Sequence, residues 1–289
     1  MNKFLAVPLA FLAFITGIGI STLLWNTHTD SEIFEVNVEG NFGAAVTVTT
    51  TGAFTSQTQQ VRDLIDGEGR IIQEHGQVLV RTTKFSATGG KWSQVDGQPG
   101  IVSGLAEKSS VGRLANVVIG KREGSRVAII DPQDGDVSVM VVDILPTRVS
   151  YSAQQQSSDP LIPSVSSDED GVPSLGTITA PIDNVRISSV ITGDGAQVTQ
   201  QDVVYANYVL AHVDGSQMEN TFSNGNPPAY IAVEDVFPGL HAGLIDQRVG
   251  SRVVISVPAA QAQGEEDVLI VLDILAISDE KPHVKTVSI

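Results

Sequence analysis

Apolar positions along the chain follow three rhythms, and each predicts a different kind of segment. The first is an almost unbroken apolar run from Phe4 to Trp25, interrupted only by Pro8, Thr16, Ser21, Thr22 and glycines. About 20 apolar residues suffice to cross a bilayer as a helix, so residues 1–25 read as an export signal or an N-terminal membrane anchor. Gly19 and Ser21 offer small residues for cleavage near Thr22. Lys3 before the run, against Asp30, Glu32 and Glu35 after it, places the remainder outside the cytoplasm, secreted or held at the outer face of the membrane. The second rhythm is an alternation of apolar and polar residues from Phe34 to Thr51, which predicts one or two strands within an N-terminal extension over 26–57. The third is a set of short runs, Gln77 to Thr83, Asp202 to Leu210, Arg252 to Val257 and Val268 to Leu275, rich in Val, Ile, Tyr and Thr. These predict strands. One stretch departs from them. After Pro238-Gly239, the residues Leu240 to Ile245 carry apolar side chains at spacings of three and four, as a short helix laid across a sheet requires.

The strand runs recur. An offset of 126 brings Gly67-Glu68-Gly69 onto Gly193-Asp194-Gly195, and Gly124-Ser125-Arg126-Val127 onto Gly250-Ser251-Arg252-Val253. Between these anchors Val78 falls on Val204, Gly89 on Gly215 and Leu114 on Leu240. Further on, Val141-Val142-Asp143-Ile144-Leu145 meets Val271-Leu272-Asp273-Ile274-Leu275 at an offset of 130, so the first copy lacks four residues in one loop. Matches in this order read as a duplication, with copies over 58–148 and 186–278 and a tail over 279–289. Gly67, Gly69, Gly193, Gly195, Asp214-Gly215 and Gly264 stand at predicted tight turns, where a positive φ is expected.

The connector over 149–185 differs in composition, with Gln154-Gln155-Gln156, repeated prolines and the acidic trio Asp168-Glu169-Asp170. It reads as a solvated linker, since the trio lacks the alternating ligands and turn glycine of a calcium loop. A formal charge of -16 without any Lys/Arg run argues against nucleic acid or an anionic membrane surface as partner. The membrane enters only through the N-terminal segment if that segment is uncleaved. The absence of cysteine excludes disulfides, thiol nucleophiles and thiolate metal sites. His28, His75, His212, His241 and His283 show no paired metal-ligand spacing, and neither a Gly-x-Ser-x-Gly elbow nor a phosphate-cradling loop occurs. No cofactor or metal is expected. With aromatics at 5%, the cores must be built from Val, Ile, Leu and Ala.

The second copy, Val190 to Ile277, resembles the FKBP family of peptidyl-prolyl isomerases in the order of its landmarks. These are the Gly-Asp-Gly turn at Gly193 to Gly195, Tyr208 on a strand, the Asp214-Gly215 hairpin, Val236-Phe237-Pro238-Gly239-Leu240, Val249-Gly250-Ser251-Arg252, and the closing Asp273-Ile274-Leu275. The tandem layout behind an export signal is similar to extracytoplasmic FKBPs of actinobacteria. The resemblance implies an α+β fold of two domains, each an antiparallel sheet of about five strands wrapped around one short helix, with a proline held between sheet and helix.

The implied reaction breaks no bond. An X-Pro amide rotates over a barrier of about 18–20 kcal/mol, and a dry apolar slot that binds the twisted amide best lowers it. Carried over position by position, Tyr208 matches the pocket tyrosine, Val236 and Phe237 match the Val-Ile pair, and the Phe237 N–H would bond the substrate carbonyl. Met218, Glu219, Leu240, Gln263 and Ile270 stand where the family has Phe, Asp, Trp, Tyr and Phe, so the slot is apolar but less aromatic. The flap between Gly264 and Val268 is cut to Glu265-Glu266-Asp267. These departures predict weak catalysis in the second copy. In the first copy Thr82, Ser93 and Leu114 take the tyrosine, aspartate and tryptophan positions and only Trp92 is aromatic, which predicts a non-catalytic domain. The expected partners are proline-containing segments of exported proteins. The alternative reading is a catalytically silent binding or chaperone module at the cell surface.

Overall fold

In a computed structural model the described residues are 34–88, 91–95, 100–133, 136–149, 156–223 and 225–278. The apolar N-terminal run and the tail over 279–289 lie outside them. Among the described residues no helix is long and apolar enough to cross a membrane. The protein is α+β and consists of two domains, each an antiparallel sheet wrapped onto a short helical segment, as the FKBP resemblance implies.

The first domain follows a hairpin of β1 (Glu35–Glu39) and β2 (Thr47–Thr51). It comprises β3 (Gln60–Ile65), β4 (Gln77–Thr88), β5 (Lys91–Gln94), β6 (Gly100–Leu105), α1 (Lys108–Val111), α2 (Ala115–Val118), β7 (Arg126–Gln133) and β8 (Asp136–Ile144). The second follows a hairpin of β9 (Val165–Ser167) and β10 (Pro173–Leu175). It comprises β11 (Arg186–Ile191), β12 (Val203–His212), β13 (Gln217–Asn220), β14 (Ala229–Ala232), α3 (Pro238–Leu244), β15 (Arg252–Val257) and β16 (Val268–Ser278). The sheets run β3-β7-β8-β4-β5 and β11-β15-β16-β12-β13. In each, one long strand splits its outer edge between two short ones. β12 pairs β14 through Val203–Ala206 and β13 through Val209–Ala211. The four residues missing from the first copy lie between the last two strands. There β7 and β8 pair continuously to Gln133 and Asp136, whereas β15 and β16 open after Val257 and Val268 into a loop with a 3-10 turn at Ala259–Gln261.

Period-2 alternation sorts each strand between two faces. Val204, Ala206, Tyr208, Val253, Ile255, Ile270 and Leu272 meet α3, while Val209, Val254 and Val271 face the other way. Two helix glycines let α3 lie close on β15. A Cβ on Gly239 would stand 2.2 Å from Val257 Cγ1, and one on Gly243 would stand 2.1 Å from Ile255 Cδ1. Gly243→Ala is therefore expected to lift the helix off the sheet at a cost of roughly 1–2 kcal/mol, read as a lower denaturant midpoint with an unchanged m-value. An unshifted midpoint would mean that Ile255 simply turns aside.

The turn glycines act differently from expectation. Gly215 has φ +83, but Gly67, Gly69, Gly193, Gly195 and Gly264 are not in the positive-φ region. Close backbone approach is what excludes a side chain at Gly67 and Gly193, where a Cβ would sit 2.2 Å from the Glu123 and Val249 carbonyl oxygens. Each of these two glycines donates its N–H to Ser125 or Ser251 Oγ at 2.9 Å. Two motifs that recur in both copies thus clasp each other.

The connector is not a solvated linker. Although polar in composition, it buries Ile162, Val165, Ile178 and Ile182 against the back of the second sheet. The acidic trio forms its hairpin turn, with Asp168 Oδ1 accepting the Val172 N–H at 2.8 Å. The β1–β2 hairpin covers the first sheet in the same way, through Phe34, Val46 and Val48. A buried ion pair ties down each hairpin. Arg126 meets Asp143 in a two-point contact at 2.6 and 2.8 Å and donates to the Gly40 and Asn41 carbonyls at 3.0 Å. Arg252 meets Asp273 at 2.6 and 2.8 Å and donates to Ser167 Oγ at 2.7 Å and the Gly171 carbonyl at 2.9 Å.

The domains pack through Leu79, Leu145, Val203, Tyr205, Leu275 and Ala276, which form one buried cluster. Leu79 and Tyr205, and Leu145 and Leu275, are repeat equivalents. The polar contacts are reciprocal as well. Arg81 Nη2 donates to the Ile277 carbonyl at 3.3 Å, and Asn207 Nδ2, at the position equivalent to Arg81, donates to the Thr147 carbonyl at 2.7 Å, equivalent to Ile277. Each copy turns the same patch to the other, which is the geometry of an isologous dimer joined into one chain.

Candidate functional site

The candidate site between α3 and its sheet is built from an extended approach, a helix start and three strands. Val236 (φ −90, ψ 164) and Phe237 (φ −64, ψ 154) are extended, and Phe237 is the N-cap of α3 with Pro238 at the first helical position. Tyr208 and Ile270 are buried in one apolar cluster, and Val236, Phe237, Leu240, Leu210 and Ala262 pack against it partly exposed. The structure thus brings together five of the eight residues singled out in the sequence, and a sixth joins them by a hydrogen bond. Glu219 pairs with Leu210 across β12 and β13, and the Tyr208 hydroxyl donates to its Oε1 at 2.7 Å.

Met218 and Gln263 stay outside the cluster. The register of β13 on β12 slips between Leu210 and Ala211, so Met218 is an unpaired bulge residue and is half exposed. Gln263 lies on the exposed stretch beyond the 3-10 turn, whereas its neighbour Ala262, not among the expected site residues, packs against the cluster. Asp267 fixes that loop by accepting the Ala259 N–H at 2.8 Å.

Burial first, and then the hydrogen bond to Glu219, pushes the Tyr208 phenol above its ordinary value near 10. The hydroxyl is therefore a fixed donor over the whole physiological range. Above about pH 10 an unfolded tyrosine sheds its proton while folded Tyr208 keeps it, so this group's contribution to stability falls as pH rises. Tyr208→Phe is expected to flatten the loss of stability between pH 9 and pH 11 in chemical denaturation. Parallel curves for the two proteins would contradict this.

The equivalent region of the first domain is closed. Its helical segment breaks into α1 and α2 around a 3-10 turn at Gly112–Leu114, and Gly112 has φ +59. Val111, at the position of Phe237, is already helical, and its N–H donates to the Glu107 carbonyl at 3.0 Å. By contrast, the Phe237 N–H donates to no group among the described residues. α1 also sits directly on β6, where a Cβ on Gly104 would lie 2.5 Å from Ser110 Oγ and from Val111 Cγ1. Trp92 does not line a cleft here. The β4–β5 hairpin pairs Trp92 with Ala87, two residues further along the strand than Phe85, the equivalent of Ala211, which pairs Gln94 where Ala211 pairs Gln217. Trp92 packs with Phe34 and Val48 on the opposite face, its Nε1 donating to Thr50 Oγ1 at 3.0 Å.

No protein-family model and no curated protein matches the sequence. Among solved structures the chain is similar to FkpA from Escherichia coli, with a TM-score of 0.30 and 20% identity over 39% of this chain and 51% of that one. It thus spans about half the length of FkpA. It is also similar to a peptidyl-prolyl cis-trans isomerase from Pseudomonas syringae pv. tomato, with a TM-score of 0.29 and 16% identity over 39% of this chain and 80% of that one. A third is wheat FKBP73 with its three FKBP domains, with a TM-score of 0.30 and 12% identity over 76% of this chain and 94% of that one.

Proposed function

We propose that the protein is an FKBP-type peptidyl-prolyl cis-trans isomerase of the tandem extracytoplasmic kind. In this reading catalysis is weak and confined to the second domain, and the substrates are X-Pro bonds of exported proteins. The observation that carries the reading is the unspent Phe237 N–H beside an apolar cluster of Tyr208, Val236, Leu240 and Ile270, set against a first domain whose equivalent N–H is consumed. A proline ring entering the cleft loses water, and the N–H fixes the substrate carbonyl while the amide twists. The reaction then needs shape and dryness rather than a nucleophile, metal or cofactor. Leu240 and Ile270 supply apolar floor without aromatic area, and the exposure of Met218 removes one wall. These are the reasons for a modest rate. The apolar segment at 1–25 delivers the chain across the membrane.

The test is the cis-to-trans rate of an X-Pro peptide with the purified chain. An acceleration sharply lowered by Phe237→Pro and retained by Thr82→Ala in the first domain supports the reading. Peptide binding without acceleration would leave a silent binding module in its place.

A further inference from the structure

The first domain sends one side chain into the second domain's machinery. Gln77, buried at the start of β4, donates from Nε2 to the Thr221 carbonyl at 2.6 Å and the Asn226 carbonyl at 2.7 Å. Its Oε1 accepts from Asn207 Nδ2 at 2.9 Å, and that amide also donates to the Thr147 carbonyl. Ser103 Oγ donates to the Pro228 carbonyl at 2.6 Å. The Thr221, Asn226 and Pro228 carbonyls belong to the segment that leads from β13 to β14, that is, from Glu219, the partner of the Tyr208 hydroxyl, to Ala229 at the edge of the apolar cluster. Thr221 passes the contact on. Its Oγ1 accepts the Tyr208 N–H at 2.8 Å, and its own N–H donates to the Tyr208 carbonyl at 3.0 Å.

We propose that Gln77 is a positioning residue for the cleft, through which the first domain braces the wall that holds Tyr208 and Glu219. What the cleft does rests on the isomerase reading; the brace itself does not. The physical reason is satisfiability. The Thr221 carbonyl is buried and needs a donor, and the amide group that supplies it also holds the Asn226 carbonyl five residues on, at the exposed end of the segment. The relation runs one way, because the repeat equivalent of Gln77 is Val203, which has no side-chain donor to return. An otherwise non-catalytic domain thereby becomes part of the working unit.

The test is amide hydrogen exchange on the full chain carrying Gln77→Leu, which removes both donors and keeps a side chain of similar length. The Tyr208 and Thr221 amides are expected to exchange about tenfold faster or more, while Val254 and Val271 in the same sheet keep their wild-type rates. KM for an X-Pro peptide should rise with kcat little changed. A uniform rise at all four amides, or none at Tyr208 and Thr221, overturns the proposal. Should Gln77→Leu not fold, Ser103→Ala gives the milder version, a few-fold rise at Thr221 alone of these amides, with the same contrast deciding. A wild-type chain without isomerase activity would defeat the functional reading only, since the exchange contrast judges the brace without it.

Discussion

Asp273→Ala is expected to cost the second domain about 3–5 kcal/mol, a large part of the 5–15 kcal/mol by which a domain is usually stable. Asp273 and Arg252 are both buried, and the carboxylate accepts two guanidinium bonds together with the Val149 N–H at 2.9 Å. Removing it leaves a guanidinium in the core whose remaining donors reach, among the described residues, Ser167 and Gly171. The hairpin β9–β10 and the Val149 junction between the domains should loosen together. The measurement is thermal unfolding followed by domain-resolved exchange, with β11 to β16 lost before β3 to β8. The double variant Arg252→Met with Asp273→Leu should recover much of the loss, because paired apolar replacement removes the desolvation penalty along with the pair. Wild-type melting of Asp273→Ala would show that apolar packing of Ile162 and Val165 alone holds the hairpin. Asp143 and Arg126 make the same contact in the first domain, where Asp143 also accepts the Gly43 N–H at 2.7 Å, so Asp143→Ala should act on β3 to β8 in mirror fashion.

That ion pair was in plain view in the sequence without being legible as one. Gly-Ser-Arg-Val and Asp-Ile-Leu stood out because each occurs twice, but periodicity cannot say that the Arg of one motif faces the Asp of the other. Strand and helix positions were readable because burial on one face imposes a period of 2 or of 3 to 4. The connector was misread because its buried Ile162, Val165, Ile178 and Ile182 are single residues set among Ser, Asp and Pro. A two-stranded cover of three-residue strands has too few positions to show a period. The positive φ expected of the turn glycines is found at Gly215, whereas Gly67 and Gly193 are required by close backbone approach, which demands the same residue. At the candidate site, Tyr208, Leu240 and Ile270 sit on regular elements whose register carries over from a pattern, and Val236 and Phe237 are fixed by the helix start that Pro238-Gly239 marks. Met218 sits at a bulge and Gln263 beyond a shortened loop, where one residue of slip changes what a side chain meets.

The sharpest consequence for function concerns a single proton. Phe237→Pro is expected to lower kcat/KM for an X-Pro peptide by roughly 30-fold, or about 2 kcal/mol, the scale of one well-placed hydrogen bond made most strongly as the amide twists. The substitution suits the backbone unusually well. Phe237 already has φ −64, the value a proline ring imposes, and Val236 before it lies in the extended region that a following proline requires. Because the Phe237 N–H has no acceptor among the described residues, its removal breaks no bond of the fold. The phenyl ring is lost as well, so Phe237→Ala is the control, keeping the N–H while shedding the same apolar contacts. If the N–H orients the substrate, the proline variant falls well below the alanine variant in rate at equal thermal stability. Equal rates for the two would assign the cleft's action to shape alone and leave the backbone donor without a part in it.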